Sequence, residues 1–478
     1  MPEQVLFLTG HLARPRLEKV LSELDPPPPF DWVVADMGVK VAALMTEPII
    51  RRRLDRELAK GASRVVLPGR CRADLSRLAE EFGLAFERGP DEVRDIPDWL
   101  GRKRRSALSA ERSVRIFAEI VEAPTLMLEE ILARALEMRA AGADVIDLGC
   151  LPDTPFPRLA EAVKALKANG FKASIDSADA EELRAGALAG ADFLLSLTEE
   201  TLDLCEGTNA VPVLIPSRHG DLESLSRAAS LAARRGLHVI LDPILDPVHF
   251  GFVPSLLRYA ELRRLLPRAE IMMGTGNLTE LTEADSAGIT AMLMGICSEL
   301  EIGNVLVVQV SPHTRRTIVE HQAAARLMHA ARSDGGVPRG YGAGLLQVHD
   351  ARPFASTIDE IDAAARSVRD LNFRIEAAAD GIHVYNRNGH WVEKDALSLF
   401  SKLDVERDGA HAFYLGTELM KAEIAWRLGK RYAQDEPLDW GCGAERPVED
   451  LTRQAEAGHT LRARHGDVAR RVGRADDP

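Results

Sequence analysis

Short apolar runs alternate with amphipathic runs along the central part of the chain. Between residues 113 and 334, runs rich in Val, Ile and Leu are each followed by a stretch whose apolar positions recur at helical spacing. Apolar runs without polar alternation are typical of parallel strands covered by helices. The strand-like runs read RIFAEIV, ADVIDLG, KASID, FLLSL, VPVLIPS, HVILDP, EIMMGTG and NVLVVQV. Eight strand-then-helix units predict a closed (β/α)8 barrel rather than an open doubly wound sheet.

The regions on either side of the predicted barrel have patterns of their own. Residues 1–105 alternate strand-like and helical runs, which predicts a small N-terminal α/β domain with a parallel sheet. This region has neither G-x-G-x-x-G nor a Walker loop, so a nucleotide role has no sequence support. Residues 340–443 combine helical runs with a hairpin-like NRNG turn and predict an α+β domain. Residues 444–478 have little apolar content and predict a flexible charged tail.

Composition and charge narrow the class of protein. A chain of 478 residues is long enough for several domains. The net charge of -13 argues against a nucleic acid or an anionic membrane as partner. No run approaches the roughly 18 apolar residues of a membrane span, and the N-terminus lacks a signal-peptide pattern, so we expect a cytoplasmic protein. The five cysteines are scattered and predict neither a disulfide framework nor a zinc site.

Acidic residues follow several of the predicted barrel strands. Active sites of such barrels form at the carboxyl ends of the strands. Four strands end at or near an acid: Glu119, Asp147, Asp176 and Asp242. A carboxylate beside a buried strand end is costly unless it is hydrogen-bonded, paired or used. Other polar or glycine positions at these ends are Ser196, Arg218, His219, Gly274, Asn277, Ser311 and His313.

Each of these residues also has an ordinary structural interpretation. An Asp after a strand commonly caps the next helix, and this applies to Asp242 before Pro243. Asp147 and Asp176 precede the predicted helices by several residues, and Asp179 is better placed as a cap. The histidines at the strand ends fit equally well as plain loop residues.

The converging carboxylates indicate two kinds of ligand. A guanidine-like ring edge, as in a 2-amino-4-oxopteridine, offers N–H donors in a geometry that a carboxylate accepts. A cluster of acids also suits Mg²⁺, with Glu119 as the candidate ligand. The spacing of the acids does not choose between the two.

Three barrel segments and two later segments carry a family resemblance. AAGADVIDLG, SIDS and VILDP, in this order and spacing, resemble the pterin-binding barrel shared by dihydropteroate synthases and pterin-dependent methyltransferases. GTGNLTELTEADSAGITAMLMGICSELEIGNVLV and FYLGTELMKAEIAWRLGKRYAQDEPLDWG are similar to the dihydropteroate-synthase-related proteins of methanogens and of methylotrophic bacteria that use tetrahydromethanopterin. The second likeness covers nearly the whole chain.

The resemblance implies roles for several of these residues. Asp176 and Asp242 would bind the pterin ring with Asp147 beside them, and these three are the expected catalytic residues. Ser196 stands where the ordinary synthases carry a pterin-binding Asn, and Asn277 stands near the position of their Lys. Gly274, in the same segment as Asn277, is a further expected pterin contact.

The chain departs from the synthase pattern around the leaving group. The synthases hold the leaving phosphates with an Arg-x-His pair, of which this chain keeps only the His. Their loops N-x-T-P-D-S and S-T-R-P are replaced by AEIVEAP and CLPDTP. Anion stabilisation would then fall to basic loop residues and to Mg²⁺ on Glu119. The basic residues expected to bind phosphate are Arg218, His219, His313, Arg315 and Arg316.

Three functions fit the sequence. The first is a transferase that condenses a dihydropterin-methyl diphosphate with an aminobenzene ribofuranosyl phosphate in tetrahydromethanopterin biosynthesis and releases pyrophosphate. The second is a pterin-binding carrier or assembly protein without condensation activity. The third is methyl transfer from a reduced pterin, although no cobalamin-binding D-x-H-x-x-G occurs. The expected partners are small molecules, and a homodimer is the expected assembly.

Overall fold

The computed structural model describes residues 3–24, 27–40, 42, 45–71, 73–90, 93–101, 108–151 and 154–445. They divide into two compact units. One unit comprises the described residues of Met1–Arg104 and Val348–Leu438, and the other comprises those of Arg105–Gln347 and Asp439–Arg446. Residues 348–438 therefore join the N-terminal region in one unit, whereas the sequence pattern predicts separate regions. The predicted tail lies outside the described residues from residue 446 onward.

The N-terminal part of the first unit is a parallel sheet with helices. Its strands are β1 (Gln4–Thr9), β2 (Asp31–Asp36), β3 (Arg64–Leu67) and β4 (Ala85–Arg88), and its helices are α1 (Arg14–Ser22), α2 (Glu47–Arg53), α3 (Arg56–Gly61), α4 (Leu75–Phe82) and α5 (Ile96–Gly101). The strands are hydrogen-bonded in the order β2-β1-β3-β4, and all pairs are parallel. All carboxyl ends therefore lie at one edge, and the chain order reverses between β1 and β3.

The second unit contains the predicted barrel. Its strands are β5 (Arg115–Ile120), β6 (Val145–Gly149), β7 (Lys172–Asp176), β8 (Phe193–Leu197), β9 (Val211–Leu214), β10 (Ile240–Leu241), β11 (Glu270–Gly274) and β12 (Asn304–Val307). Each strand pairs with the next in parallel, and β12 pairs with β5 to close the ring. The closed parallel barrel of eight strands is confirmed. The helices are α6 (Leu128–Ala141), α7 (Leu159–Ala168), α8 (Ala180–Ala189), α9 (Leu222–Arg234), α10 (Phe252–Leu265), α11 (Gly276–Thr279), α12 (Ser286–Glu299) and α13 (Thr317–Ser333).

Apolar side chains fill the barrel on both faces of its strands. A small interior cluster includes Phe117, Val145, Phe193 and Met272, and the rings of Phe117 and Phe193 pack edge to face with centroids 4.9 Å apart. A larger cluster lies between the strands and the surrounding helices. Because both faces are buried, the strands read as largely apolar runs. The mid-strand polar residues Asp147 of β6 and Ser174 of β7 are buried and hydrogen-bonded to each other.

The remainder of the first unit is built on a small antiparallel sheet. Its strands are β13 (Arg374–Ala378), β14 (Gly381–Asn386) and β15 (Gly389–Glu393), with α14 (Ile358–Ser367), α15 (Ala396–Phe400) and α16 (Gly409–Leu428). The NRNG segment joins β14 to β15, where Asn386 pairs with Gly389. None of the helices described in the two units is long and apolar enough to cross a membrane.

Candidate active site

A cavity of about 420 Å³ opens at the carboxyl ends of the barrel strands, and we call it the barrel cavity. Its inner wall is apolar and includes Leu195, Val213, Met272 and Leu306. No cationic side chain of the described residues lines it. The polar side chains that line it are Glu119, Asp176, Ser196, Asp242, Asn277 and Glu280.

Asp176 ends β7 and faces this cavity. The hydroxyl of Ser196 donates a hydrogen bond of 2.6 Å to its Oδ1. Burial raises the pKa of Asp176, and the Ser196 hydrogen bond opposes that rise. The backbone N–H groups of Glu181 and Glu182 at the start of α8 bond to Asp179, so Asp179 is the helix cap. Asp176 is therefore not a cap, and its Oδ2 takes no hydrogen bond from the described residues.

Ser196 lies near the end of β8 in an unusual backbone conformation. Its φ is 61°, and the pairing of β8 with β9 is irregular between Leu194 and Leu197. A positive φ is uncommon for a residue other than glycine and marks local strain. Ser196 lines the barrel cavity, but its hydroxyl is engaged by Asp176. The Ser196 hydroxyl therefore orients the Asp176 carboxylate.

Asp242 follows β10 and is held by two donors on the same oxygen. The hydroxyl of Tyr259 bonds to Oδ1 at 2.9 Å, and the backbone N–H of Ile244 bonds to it at 2.8 Å. Burial raises the pKa of Asp242 to about 6 in spite of these bonds. The residue before α10 is Gly251, so Asp242 caps no helix either. Its Oδ2, like that of Asp176, takes no hydrogen bond within the described chain.

Asp147 differs from these two acids because it is fully buried and does not line the barrel cavity. The hydroxyl of Ser174 donates to its Oδ1 at 2.5 Å, and its Oδ2 has no hydrogen-bond partner in the described part of the chain. Burial, then the charges of Asp176 and Glu119, raise the pKa of Asp147 well above its usual value. The structure thus places this predicted pterin contact outside the cavity wall.

Glu119 is the penultimate residue of β5, and it lines the barrel cavity without a hydrogen-bond partner among the described residues. Burial and then the charge of Asp176 raise the pKa of Glu119 to about 7. A side chain at the neighbouring Gly149 would collide with the Glu119 carboxyl, so the glycine provides the space that this carboxyl occupies. Near neutral pH Glu119 is thus balanced between its protonated and ionised forms.

A second cavity, of about 870 Å³, shares Glu119 with the first, and we call it the arginine cavity. Arg134 of α6 lines it together with Arg315 and Arg316 from the segment that precedes α13. Arg316 donates from Nε to the carbonyl of Cys442 at 3.1 Å. Two of the predicted phosphate-binding residues therefore meet here. Arg134 was missed because it lies on a helix face rather than at a strand end.

The other three predicted phosphate-binding residues line neither cavity. Arg218 is exposed. His219 is also exposed, and its Nε2 lies 3.1 Å from the buried carboxylate of Asp246. His313 has its Nε2 3.1 Å from the carbonyl oxygen of Thr279. The structure therefore does not bring these residues together with Arg315 and Arg316.

The end of β11 and the segment after it contribute to the barrel cavity, with Gly274, Asn277 and Glu280 among the lining residues. Asn277 donates from Nδ2 to the carbonyl of Leu245 at 2.7 Å, and Gly274 leaves open space where a side chain would lie. Glu280, which the sequence did not single out, accepts from the N–H of Val310 at 2.8 Å and from the Thr314 hydroxyl at 2.7 Å. Burial alone would raise the pKa of Glu280. The hydrogen bonds to its carboxylate have the larger effect, so the pKa is lowered. Glu280 fixes the loop that follows β12.

The acids do not assemble a metal site. No group of three His, Cys, Asp or Glu side chains in the described ranges could hold a metal ion. Mg²⁺ commonly takes one or two carboxylates and completes its shell with water and substrate phosphates. Glu119 would be the protein ligand for Mg²⁺, and Mg²⁺ binding stays a prediction.

Comparisons with other proteins give partial matches. Residues 3–91 match a family described as a family of unknown function (DUF6513). The uncharacterized protein MJ0107 of Methanocaldococcus jannaschii is 25% identical over 90% of this chain and 98% of its own length. The Yersinia pestis dihydropteroate synthase with a pterine-sulfa conjugate is 18% identical and covers 47% of this chain and 96% of its own, with a TM-score of 0.36. The Thermus thermophilus dihydropteroate synthase is 21% identical over 46% of this chain and 95% of its own, with a TM-score of 0.36.

Proposed function

We propose that the barrel cavity binds a reduced pterin and that the protein is a dihydropteroate-synthase-like transferase. The observation that carries the proposal is the pair Asp176 and Asp242. Each carboxylate has its Oδ1 held by protein donors and its Oδ2 left for a ligand, in a cavity with apolar walls. A pterin ring presents a ring N–H and an amino group as donors, and its flat body suits apolar walls.

The proposed reaction joins the pterin methylene to an arylamine. The amine nitrogen attacks the methylene carbon, the carbon–oxygen bond to the diphosphate breaks, and pyrophosphate leaves with the electron pair. Negative charge grows on the leaving group and needs nearby cations. Arg134, Arg315 and Arg316 of the arginine cavity would supply them. Glu119 lines both cavities, and its pKa of about 7 suits it to accept the proton that the amine loses.

The identity of the arylamine that attacks the pterin methylene is a further proposal. The likeness of the two later sequence segments to tetrahydromethanopterin-related proteins supports an aminobenzene ribofuranosyl phosphate as the nucleophile. Its phosphate would need basic contacts of its own. In the same proposal, Glu119 in its ionised form would hold Mg²⁺, which would supply positive charge to the leaving diphosphate.

A second candidate is a pterin-binding carrier without condensation activity. One observation favours it: no cationic side chain of the described chain lines the cavity that contains Asp176 and Asp242. In a carrier the ring would be bound through the same two carboxylates, and no leaving group would need stabilisation.

Pyrophosphate release separates the two candidates. The purified chain is incubated with dihydropterin-methyl diphosphate, Mg²⁺ and either aminobenzene ribofuranosyl phosphate or p-aminobenzoate. The transferase proposal predicts release with the phosphorylated arylamine and its loss in Arg315→Gln. Release with p-aminobenzoate alone would contradict the tetrahydromethanopterin assignment. Tight pterin binding without release would support the carrier, and the absence of both would contradict both candidates.

A further inference from the structure

The N-terminal sheet has a cavity at the edge where its strands end, and we call it the sheet-edge cavity. Its volume is about 340 Å³, and it is lined by Leu8 and Thr9 at the end of β1 and by Leu67 and Pro68 at the end of β3. Ligands of open parallel sheets bind outside the carboxyl ends of the strands, at the point where the chain order reverses. Here the order reverses between β1 and β3. The cavity lies at the position where this topology favours a ligand.

The inner wall of the sheet-edge cavity is apolar. Phe7, Leu17, Val66 and Ile96 contribute to it, and all four are buried. A wall of this kind removes apolar ligand surface from water and so favours a ligand with an apolar body.

Three cations from three elements line the same cavity: Arg16 on α1, Lys40 after β2 and Arg70 after β3. No acidic side chain of the described residues lines it. Arg16 has its Nη2 2.9 Å from Glu360, and Arg70 is paired with Glu436. The Nε of Arg16 is buried and has no hydrogen-bond partner in the described part of the chain. This N–H needs an acceptor that a ligand would bring.

The start of α1 adds to the positive character of the sheet-edge cavity. Ala13, the residue before the helix, lines the cavity and provides no side-chain cap, and the first turn contains no acid. No side chain of this first turn therefore compensates the positive end of the helix. A side chain at Gly10 would lie 2.8 Å from backbone atoms of Val39 and Ala42, so glycine allows the loop before α1 to pack close to the segment after β2.

We propose that the sheet-edge cavity binds a small molecule in which a carboxylate or phosphate is attached to an apolar body. The anion would lie among Arg16, Lys40, Arg70 and the start of α1, and the body would contact the apolar wall. The sequence has no glycine-rich phosphate loop in this region, so the ligand is not expected to be a dinucleotide. This site is independent of the pterin chemistry proposed for the barrel.

Titration of the full chain with three small probes tests this proposal. Phenyl phosphate and benzoate carry the two anionic groups on the same apolar ring, and phenol carries the ring without the anion. Calorimetry is expected to show binding of at least one anion and at least about tenfold weaker binding of phenol. Equal binding of phenol and both anions, or no binding of either anion, would overturn the proposal.

Three variants test whether the anion binds in the sheet-edge cavity. Arg70→Gln is expected to weaken anion binding by about tenfold, because a charge-assisted hydrogen bond is lost. Ala13→Leu fills the cavity without removing a charge and should also weaken anion binding. Because this variant keeps the Arg70–Glu436 pair, it shows whether the effect of Arg70→Gln comes from lost binding or from lost folding stability. Arg14→Gln is the matched control, since Arg14 lies on the same helix and pairs with the exposed Glu18. Circular dichroism checks the fold of each variant.

The barrel also contains arginines, so one variant there completes the test. Arg315→Gln should leave unchanged the component of phenyl phosphate binding that Arg70→Gln and Ala13→Leu weaken, because that component belongs to the sheet-edge cavity. Loss of binding in Arg315→Gln together with wild-type binding in Arg70→Gln and Ala13→Leu would overturn the proposal.

Discussion

The barrel and the N-terminal sheet each form a cavity at the carboxyl ends of parallel strands, but the charges that line the two cavities are opposite. The barrel cavity has Glu119, Asp176, Asp242 and Glu280 and no cation among the described residues. The sheet-edge cavity has Arg16, Lys40 and Arg70 and no described acid. The backbone topology fixes where a ligand can bind in both cases. The side chains at the strand ends then decide which class of ligand fits.

The two sets of charges are also held in different ways. In the barrel, burial raises the pKa of Asp176 and Asp242, and hydroxyl groups rather than cations bond to them. At the sheet edge, Arg16 and Arg70 keep about a third of their side chains exposed and pair with glutamates. A cavity whose acids are not paired with cations suits a neutral hydrogen-bond donor such as a pterin. A cavity of solvated cations suits an anion.

The largest expected effect concerns Glu119 and the dependence of stability on pH. Burial and Asp176 raise its folded pKa from 4.5 to about 7, so the folded state holds this proton more tightly than the unfolded state does. The stabilising contribution is complete below about pH 4.5 and is lost as pH rises through about 7. The loss amounts to about 3 kcal/mol. Urea denaturation across this range should therefore show a steeper decline in the wild type than in Glu119→Gln.

Glu283→Gln is the matched control for this measurement, because Glu283 is an exposed loop residue. It should keep the wild-type dependence of stability on pH. Identical pH dependences for Glu119→Gln and the wild type would contradict a raised pKa for Glu119 and weaken the contrast between the two cavities.

The next effect concerns Ser196. Ser196→Ala and Ser196→Gly both remove the hydrogen bond to Asp176, but only glycine adopts a φ of 61° without steric cost. Ser196→Gly should therefore be more stable than Ser196→Ala by about 1 kcal/mol in thermal unfolding. In both variants the pKa of Asp176 should rise, as followed by carboxyl NMR, because the lost hydrogen bond opposed that rise. Equal stability of the two variants would argue against strain at this position.

The smallest effect is the response of the two ligands to salt. Raising NaCl from about 0.05 M to about 0.5 M should weaken phenyl phosphate binding several-fold, because partly exposed cations are screened. The affinity for a neutral dihydropterin should change by less than about twofold. Calorimetry of both ligands on one preparation makes the comparison direct. The same salt dependence for both would contradict the assignment of opposite charge preferences.

Much of the fold could be predicted from the sequence, because the apolar periodicities of strands and helices are local sequence patterns. The alternation predicted the barrel, and the strand ends predicted Glu119, Asp176 and Asp242 as cavity residues. The sequence did not indicate that Asp147 is fully buried and lies outside the cavity wall. It shares the inward face of β6 with Val145, but whether an inward residue reaches the cavity depends on the stagger of the neighbouring strands.

Other features depend on contacts between residues far apart in the chain. Tyr259 reaches Asp242 from α10, and its type and spacing resemble those of an ordinary core aromatic residue. The joining of residues 348–438 to the N-terminal region in one unit depends on pairs such as Arg16 with Glu360. No local pattern reports such pairs. The cytoplasmic location and the homodimer stay predictions.

Pterin binding in the barrel cavity can be measured directly by calorimetric titration of the full chain with hydroxymethyl dihydropterin. We expect the wild type to bind and Asp176→Asn to weaken binding by roughly 1.5–3 kcal/mol with the fold intact, because a charged hydrogen bond to the ring is lost. Asp179→Asn, three residues further on and a helix cap outside the cavity, should bind as the wild type does. Unchanged pterin affinity in Asp176→Asn, or no binding by the wild type, would show that the Asp176 carboxylate does not bind a pterin in the barrel cavity.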